Sequence, residues 1–307
     1  MSTTISHDTS SRVSREEVSA EVALIAERLR AADHLLLPLD QELELLEQLQ
    51  DFEFGRFLLR NKGLNGYWTS YVFGYADGDA VESSLEKWLL TSSLLPGIRE
   101  RFGRFKVEVA KYVRDDAVFA SVPCGLMGDL LQQDYSGVDG VRLIGVDIDP
   151  ESVRLAEAEA IRRGLVDRCQ FLLRDAWTLG LDGDVDLLVS NGLNMYEPER
   201  ERLVQLYRGF GRALRPGGRL LISFIPAPPP LPWLDASGAE VWAKFGMGEA
   251  DLRQDLAIFG DILGGAKYMN FTSEDELRAQ LQEAGLRVDE VSYSEAGVLP
   301  IATATRA

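Results

Sequence analysis

Residues 118–147 read VFASVPCGLMGDLLQQDYSGVDGVRLIGVD, and this stretch decides the fold of the chain. It opens with a short apolar run at 118–122 that contains β-branched residues, which predicts a buried strand. A turn around Gly125 follows, after which the apolar spacing changes towards that of a helix. Residues 141–147 predict a second buried strand. This order predicts a βαβ unit with the turn at the carboxyl end of its first strand.

An acidic residue closes the second strand of this unit. Asp147 lies 22 positions beyond Gly125. In a βαβ unit such an acid projects into the same crevice as the turn, where it can accept hydrogen bonds from the two hydroxyls of a ribose. The pattern therefore predicts a ligand that contains adenosine. The alternative for Asp147 alone is a role as a helix cap.

Composition limits the classes of partner. The chain has 307 residues, is 46% hydrophobic and carries a net charge of −17. This charge would repel a nucleic-acid backbone or an anionic membrane, so a small-molecule partner is expected and neither of those. The oligomeric state is left open.

Two cysteines, Cys124 and Cys169, have no second cysteine or histidine at metal-ligand spacing, so no metal site is expected. Residues 1–12 lack the pattern of a signal peptide, and no run of about 18 apolar residues occurs. These features predict a cytoplasmic protein.

The chain divides into two predicted domains. Residues 1–114 predict a helical cap, and residues 115–307 predict the ligand-binding domain, with a helical insertion at 233–270 folded over its rim after a proline-rich connector. Helical spacing of apolar residues recurs in four segments of the cap, namely 14–29, 40–63, 83–95 and 98–113. Residues 63–75 lack a clean period and predict a loop or a broken helix.

Aromatic residues crowd together in the cap. They are Phe52, Phe54, Tyr67, Trp68, Tyr71, Phe73 and Tyr75. One interpretation is that these rings form the core by which the helices pack. The other is a lid in which some rings face a sulfonium cation and exclude water. The two interpretations stay open.

Strands and helices alternate after Asp147, as a parallel sheet requires. The segments are a helix at 150–164, a strand at 169–173, a strand at 186–190, a helix at 198–214, a turn at 215–218 and a strand at 219–225. A helix from 272 or 273 to 284 follows, and residues 286–294 and 298–305 then predict two antiparallel strands. Polar residues follow the strand ends, with Asp175 after the third strand and Asn191 and Tyr196 after the fourth.

This order resembles the Rossmann-like fold of class I S-adenosylmethionine-dependent methyltransferases, an α/β fold whose parallel sheet ends in a C-terminal antiparallel hairpin. The likeness covers about residues 117–307, and the N-terminal helices form an added cap. It implies that S-adenosylmethionine is cofactor or substrate, with Gly125 near its methionine part, Asp147 at the ribose and Asp175 beside the adenine. The implied cofactor-binding residues are Ser121, Pro123, Gly125, Asp147, Ile148, Asp175, Ala176 and Asn191.

The first motif departs from this family. Where the family has an acid followed by three spaced glycines, the chain has Ser121 and keeps only Gly125. In the family that acid helps to hold the amino group of the cofactor, so the change puts the usual handling of that group in doubt. A methyltransferase acting on a hydroxyl or amine often uses a base. Both histidines, His7 and His34, lie outside the predicted rim, so a base would have to be a carboxylate or a tyrosine.

The cap, the turn and residues 191–196 are together similar to the azetidine-2-carboxylate synthase branch of this superfamily. That resemblance implies cyclisation of S-adenosylmethionine with release of methylthioadenosine, as in natural-product biosynthesis. Asn191 and Tyr196 would orient the amine, and Tyr71 would join them as a catalytic residue in a pocket lined by Tyr67 and Trp68. Tyr196 could instead be a rim tyrosine packed beneath the insertion. Methyl transfer to a small acceptor and binding without catalysis are the alternatives.

Overall fold

The computed structural model describes residues 12–265, 270–294 and 297–306. These residues form two compact units. One holds the described residues up to Arg99 and from Pro229 to 265, and the other holds Glu100–Pro228 and the described residues from 270 onwards. The domain limits 1–114 and 115–307 stay a prediction, because a compact unit is not by itself an independently folding domain.

The helices of the described residues number twelve. They are α1 Ser19–Ala31, α2 Leu39–Gln48, α3 Glu53–Asn61, α4 Gly66–Gly74, α5 Ser84–Ser92, α6 Leu95–Ala110, α7 Gly128–Leu131, α8 Pro150–Arg162, α9 Arg200–Ala213, α10 Ser237–Lys244, α11 Glu249–Leu256 and α12 Glu274–Glu283. The boundary between the two units falls inside α6. No helix in the described ranges is long and apolar enough to cross a membrane.

The single helix predicted at 40–63 is wrong, because the chain forms α2 and α3 with a break between them. Phe52 adopts an extended conformation at this break and is fully buried. A Cβ added at Gly55 would collide with the carbonyl oxygen of Leu49. The backbone therefore approaches itself closely here, and the absence of a side chain at Gly55 allows it.

The loop or broken helix predicted at 63–75 is also wrong, because most of this segment is the regular helix α4. The side chain of Asn65 caps this helix by accepting a hydrogen bond from the Trp68 N–H at 3.0 Å. Trp68 and Val72, four residues apart, are buried on the same side of the helix. Tertiary packing thus stabilises a helix whose aromatic composition gives a weak local signal.

Seven strands of the described chain form one sheet. They are β1 Val118–Ser121, β2 Arg142–Asp147, β3 Cys169–Leu173, β4 Val185–Ser190, β5 Leu214–Ser223, β6 Leu286–Ser292 and β7 Ile301–Arg306. Their order is β3-β2-β1-β4-β5-β7-β6, with β1 to β5 parallel and β7 antiparallel to both of its neighbours. The predicted Rossmann-like fold with an antiparallel C-terminal hairpin is confirmed.

The sheet of the second unit is buried between two hydrophobic clusters. One contains residues of α9 and α12, such as Tyr207, Phe210 and Leu281. The other contains residues of α6, α7 and α8, among them Phe105 and Leu130. Both faces of the central strands are therefore covered, which is why β1 and β4 are apolar along nearly their whole length.

Strand β5 begins earlier than the sequence predicts. The predicted turn at 215–218 lies inside the strand as an irregularity, and the pairing with β4 shifts register between Val185 and Leu187. Gly217 has a positive φ of 75° at this point, which a residue with a side chain rarely adopts. The turn residues thus form a bulge at the amino end of β5.

The segment after the prolines forms α10 and α11, followed by a π-helical turn at Ala257–Ile262. Side chains and backbone of this segment bond to the N-terminal helices of the same unit. The Trp88 indole donates to Asp251 at 2.9 Å, and the Leu94 N–H donates to Asp255 at 2.9 Å. The end of the predicted insertion, at 266–269, lies outside the described residues, and its placement over the rim stays a prediction.

Candidate functional site

The turn after β1 is held between two neighbouring strands. The Val122 N–H donates to the carbonyl of Val189 in β4 at 2.9 Å, and the Cys124 N–H donates to the carbonyl of Val146 in β2 at 2.8 Å. Gly125 follows with a φ of 47°, in the left-handed region that favours glycine. The backbone of the turn is therefore fixed at the carboxyl end of the sheet, where open α/β sheets bind their ligands.

Asp147 lies beside this turn, at the end of β2. Its Oδ2 accepts the Gly125 N–H at 2.9 Å, and its Oδ1 accepts the Asp149 N–H at 3.0 Å. The residue is only 7% exposed, and this burial raises the pKa of its carboxyl. A carboxylate has about four lone-pair positions, so each oxygen can accept one more hydrogen bond. The predicted pairing of Gly125 with Asp147 in one crevice is thus present.

Ser121 is buried at the end of β1, and its hydroxyl bonds to an acid that the sequence did not single out. Ser121 Oγ donates to Asp129 Oδ2 at 2.8 Å, and Asp129 Oδ1 accepts the Leu130 N–H at 3.0 Å. Burial raises the pKa of Asp129 to about 6. The family's acid is absent at Ser121, but a carboxylate from α7 lies directly against that hydroxyl.

Asn191 follows β4 and contacts the end of the adjacent strand. Its Oδ1 accepts a hydrogen bond from the hydroxyl of Ser223, the last residue of β5, at 3.4 Å. Ser190, the last residue of β4, is fully buried, and its hydroxyl has no hydrogen-bond partner among the described residues. The sequence placed Asn191 at this edge, whereas Ser190 and Ser223 gave no signal beyond their position at strand ends.

Tyr196 belongs to the same loop after β4. Its side chain is 43% exposed, and partial desolvation raises the pKa of the phenol. The guanidinium of Arg101, in α6, acts in the opposite direction on that pKa. Arg101 is a second residue of this edge that sequence reasoning missed.

The remaining predicted cofactor-binding residues lie after β1, β2 and β3, and two of them, Asp175 and Ala176, are predicted beside the adenine. Asp175 is exposed, and its Oδ1 caps the short 3₁₀ helix Ala176–Thr178 by accepting the Trp177 N–H at 2.9 Å. Ala176 is buried, and Ile148 is largely exposed. Pro123 lies half-buried in the turn after β1. Their contacts with a ligand stay a prediction.

The aromatic residues predicted to line a pocket lie in α4, in the helical unit. Trp68 is buried, stacks on Phe54 with 5.1 Å between ring centroids, and contacts Tyr67 and Tyr71 edge to face. The Tyr71 hydroxyl donates to Glu86 Oε1 at 2.9 Å, and burial raises the pKa of this phenol. Trp68 is thus part of the core of its unit, and the ligand contacts of Tyr67 and Tyr71 stay a prediction.

Comparison with known proteins matches the segment of the chain that contains these residues. Residues 123–218 match a family described as a methyltransferase domain. An arsenite methyltransferase from Halobacterium salinarum is 28% identical over 157 residues, which are 51% of this chain and 33% of that protein. The chain therefore matches about a third of the length of this relative.

Two solved structures extend the comparison. A possible exported protein from Bordetella parapertussis is 32% identical, with a TM-score of 0.86 over 96% of this chain and 97% of its own. Magnesium protoporphyrin IX methyltransferase from Synechocystis PCC 6803, with bound SAH, has a TM-score of 0.50 at 17% identity, over 79% of this chain and 94% of its own. At that identity the likeness concerns the fold alone.

The sheet order is that of the class I methyltransferase fold, and residues 123–218 within it match a methyltransferase domain. The chain belongs to the same family as the Bordetella parapertussis protein. The azetidine-2-carboxylate synthase branch and the cytoplasmic location stay predictions.

Proposed function

We propose that the protein binds S-adenosylmethionine at the carboxyl ends of β1, β2 and β4 and catalyses an alkyl transfer from its sulfonium. The observation that carries this proposal is the carboxylate of Asp147, oriented by two backbone N–H groups with one acceptor position left on each oxygen. Two vicinal ribose hydroxyls match that pair of acceptors. The methyltransferase-domain match spans Gly125, Asp147 and Asn191, which supports the same assignment.

The residues at this edge fit such a ligand. Backbone atoms of the turn around Gly125 can approach the ligand closely, because no side chain intervenes. The unpaired hydroxyl of Ser190 is buried at the adjacent strand end, where a polar ligand atom would satisfy it. When bound, S-adenosylmethionine supplies a sulfonium whose three carbon substituents are each open to attack by a nucleophile.

For the reaction we propose intramolecular cyclisation. The ammonium of the bound molecule first gives up one proton to water. The nitrogen lone pair then attacks the γ-carbon, the bond from that carbon to sulfur breaks, and its electron pair stays on sulfur as the neutral thioether methylthioadenosine. The ring that forms is azetidine-2-carboxylate. Ser121 stands in place of the family's acid, and the nearby carboxyl of Asp129 already accepts hydrogen bonds from the Ser121 hydroxyl and the Leu130 N–H, which favours an amine that is not held by a carboxylate of its own.

Methyl transfer to a small-molecule acceptor is the second candidate, and the methyltransferase-domain match favours it. In that reaction the amine stays idle and the methyl carbon is attacked. Both histidines of the chain, His7 and His34, precede the sheet in the sequence and are predicted to lie outside the rim, so a base would be a carboxylate or the phenol of Tyr196.

Incubation of the purified protein with S-adenosylmethionine alone tests the proposal. We expect chromatography with mass detection to show methylthioadenosine and azetidine-2-carboxylate in equal amounts. Because S-adenosylmethionine decomposes slowly without enzyme, the Asp147→Ala variant and a protein-free sample serve as controls, and azetidine-2-carboxylate is the diagnostic product. Intact S-adenosylmethionine until an acceptor is added, followed by S-adenosylhomocysteine, would show methyl transfer. Binding without any product would show a non-catalytic protein.

A further inference from the structure

Arg101 is a buried cation without an acidic partner among the described residues. It lies in the part of α6 that belongs to the sheet-bearing unit and is 7% exposed. Its Nη1 donates to the sulfur of Met195 at 3.4 Å, and its buried Nε has no hydrogen-bond partner among the described residues. The ion pairs found within the described ranges do not include Arg101.

This arrangement is costly unless an anion is present. A guanidinium has five N–H donors, and a thioether sulfur is a weak acceptor. Burial lowers the pKa of Arg101 to about 10, so the group still carries its charge near neutral pH. A buried charge without a counter-ion destabilises a fold by several kcal/mol, whereas a paired one with satisfied hydrogen bonds does not.

The surroundings of Arg101 are those of the predicted site. Its Nη2 lies 3.7 Å from the position that a Cβ on Gly192 would occupy, and its charge acts on the hydroxyl of Tyr196. Gly192, Met195 and Tyr196 all follow β4. The buried, unpaired hydroxyl of Ser190 lies at the end of that strand. Unsatisfied polar groups therefore collect at the carboxyl end of β4.

The distance across the sheet suits the length of one ligand. Strand β1 lies between β2 and β4, so the ends of β2 and β4 are separated by two strand spacings, roughly 10 Å. Asp147 lies at the end of β2, and the loop that contacts Arg101 follows β4. A molecule with its ribose at Asp147 would cross the turn after β1 and bring its far end to Arg101.

We propose that Arg101 binds the carboxylate at the methionine end of S-adenosylmethionine, an inference that rests on the proposed function. A planar guanidinium matches a carboxylate through two parallel N–H bonds. With the carboxylate fixed by Arg101, the amine is the other charged group at this end of the ligand, and the family's acid for it is replaced by Ser121, whose hydroxyl donates to Asp129. The same guanidinium chemistry would suit the carboxylate of a separate acidic molecule, and the test separates these two sources.

Calorimetric titration with two matched ligands tests the proposal without turnover. The ligands are S-adenosylhomocysteine and S-adenosyl-3-thiopropylamine, which differ only by the carboxylate. For the wild type we expect removal of the carboxylate to weaken binding about 10- to 100-fold, the range of a charge-assisted hydrogen bond. In Arg101→Met we expect the affinity for S-adenosylhomocysteine to fall by the same factor and the affinity for the amine analogue to stay unchanged. Arg101→Lys keeps the charge and should recover part of the loss.

Arg104→Met is the matched control on the same helix. Arg104 donates to the backbone and hydroxyl oxygens of Ser292, so its loss should leave the ratio between the two ligands at the wild-type value. If circular dichroism shows that Arg101→Met does not fold, the test uses Arg101→Lys instead. Its affinities for the two ligands are then compared with those of the wild type.

Three outcomes would overturn the assignment of Arg101. In the first, the wild type binds both ligands with equal affinity. In the second, Arg101→Met loses the same affinity for both ligands. In the third, Arg101→Met differs in affinity from the wild type only when a separate carboxylic acid is present in the titration. The failure of the proposed function looks different. In that case the wild type binds neither ligand, or Asp147→Ala binds both as well as the wild type does.

Discussion

Each oxygen of Asp147 already accepts one backbone N–H, so the carboxylate is oriented before any ligand arrives. We expect Asp147→Ala to weaken the binding of S-adenosylhomocysteine by about 2 to 3 kcal/mol, because two hydroxyls lose a charged acceptor. Isothermal titration calorimetry measures this loss. Asp182→Ala, an exposed acid before the amino end of β4, removes the same charge and should change nothing. Unchanged affinity in Asp147→Ala would mean that the ribose binds elsewhere.

The bond between Ser121 and Asp129 makes a second prediction at the scale of single residues. The folded pKa of Asp129 is about 6, above an unfolded value of about 4, so this carboxyl favours the folded state when protonated and disfavours it as pH rises. Ser121→Ala removes the hydroxyl that stabilises the ionised form. We expect it to lower the free energy of unfolding by about 1 to 3 kcal/mol at pH 8 and by less at pH 5.

Urea denaturation at the two pH values measures this difference. Asp129→Asn is the control, since an amide does not titrate and the pH dependence of the Ser121→Ala effect should vanish in that background. An equal loss at pH 5 and pH 8 would show that Asp129 does not ionise in the folded protein.

At the scale of elements, the break between α2 and α3 depends on one missing side chain. We expect Gly55→Ala to destabilise the fold by several kcal/mol, because the new Cβ would meet the backbone of Leu49 and the ring of Phe52. Gly103→Ala, in the middle of α6 with no atom within 4 Å of the new Cβ, should instead stabilise by up to about 1 kcal/mol. Thermal unfolding of the two variants shows whether each substitution raises or lowers stability. A lower stability of both variants would indicate a general cost of replacing glycine.

The elements that the sequence predicts well are those with a strong local period. The strands β1, β2 and β4 follow apolar runs closely, and the hairpin of β6 and β7 follows from two such runs with a short connection. The elements it misses depend on distant contacts. α4 is stabilised by the packing of Trp68 on Phe54. The break between α2 and α3 depends on the close approach of the backbone at Gly55, which does not change the spacing of apolar residues in the sequence.

The same distinction applies to the candidate site. Gly125 and Asp147 belong to one βαβ unit, so their spacing in the chain predicts their meeting in space. Arg101 lies in a helix before the sheet begins, and Asp129 lies one residue into a helix of four. Their partners are set by the packing of those helices on the sheet, which no motif in a single sequence encodes.

At the scale of the whole molecule, buried carboxyls in both units shape the dependence of stability on pH. Burial raises the pKa of Glu42 and of Asp255 to about 7 and that of Asp129 to about 6. Each group takes up a proton more readily when folded, so the free energy of unfolding should rise as pH falls from 8 to 6. Surface acids with lowered pKa, such as Glu159 and Glu276, lose their contribution at lower pH. We expect maximal stability near pH 5 to 6.

Thermal unfolding across this range measures the curve, and Asp255→Asn identifies one of its components. Asp255 Oδ1 accepts the Leu94 N–H, which an amide oxygen can also do, whereas Oδ2 has no partner among the described residues. The variant should reduce the change in the free energy of unfolding with pH between pH 6 and 8. The reduction corresponds to at most one proton, about 1.4 kcal/mol per pH unit. A slope equal to that of the wild type would assign the effect to other groups.

The boundary inside α6 has a practical consequence for the design of a fragment that holds only the sheet-bearing unit. Phe105 and Val109 of this helix share a hydrophobic cluster with Phe119 of β1, so a truncation at residue 114 would remove part of the cover from one face of the sheet. The helical segment from Pro229 onwards belongs with the N-terminal residues although it interrupts the other unit in the chain. A fragment that keeps this cover therefore has to start at or before Glu100 and replace the segment from Pro229 with a short linker.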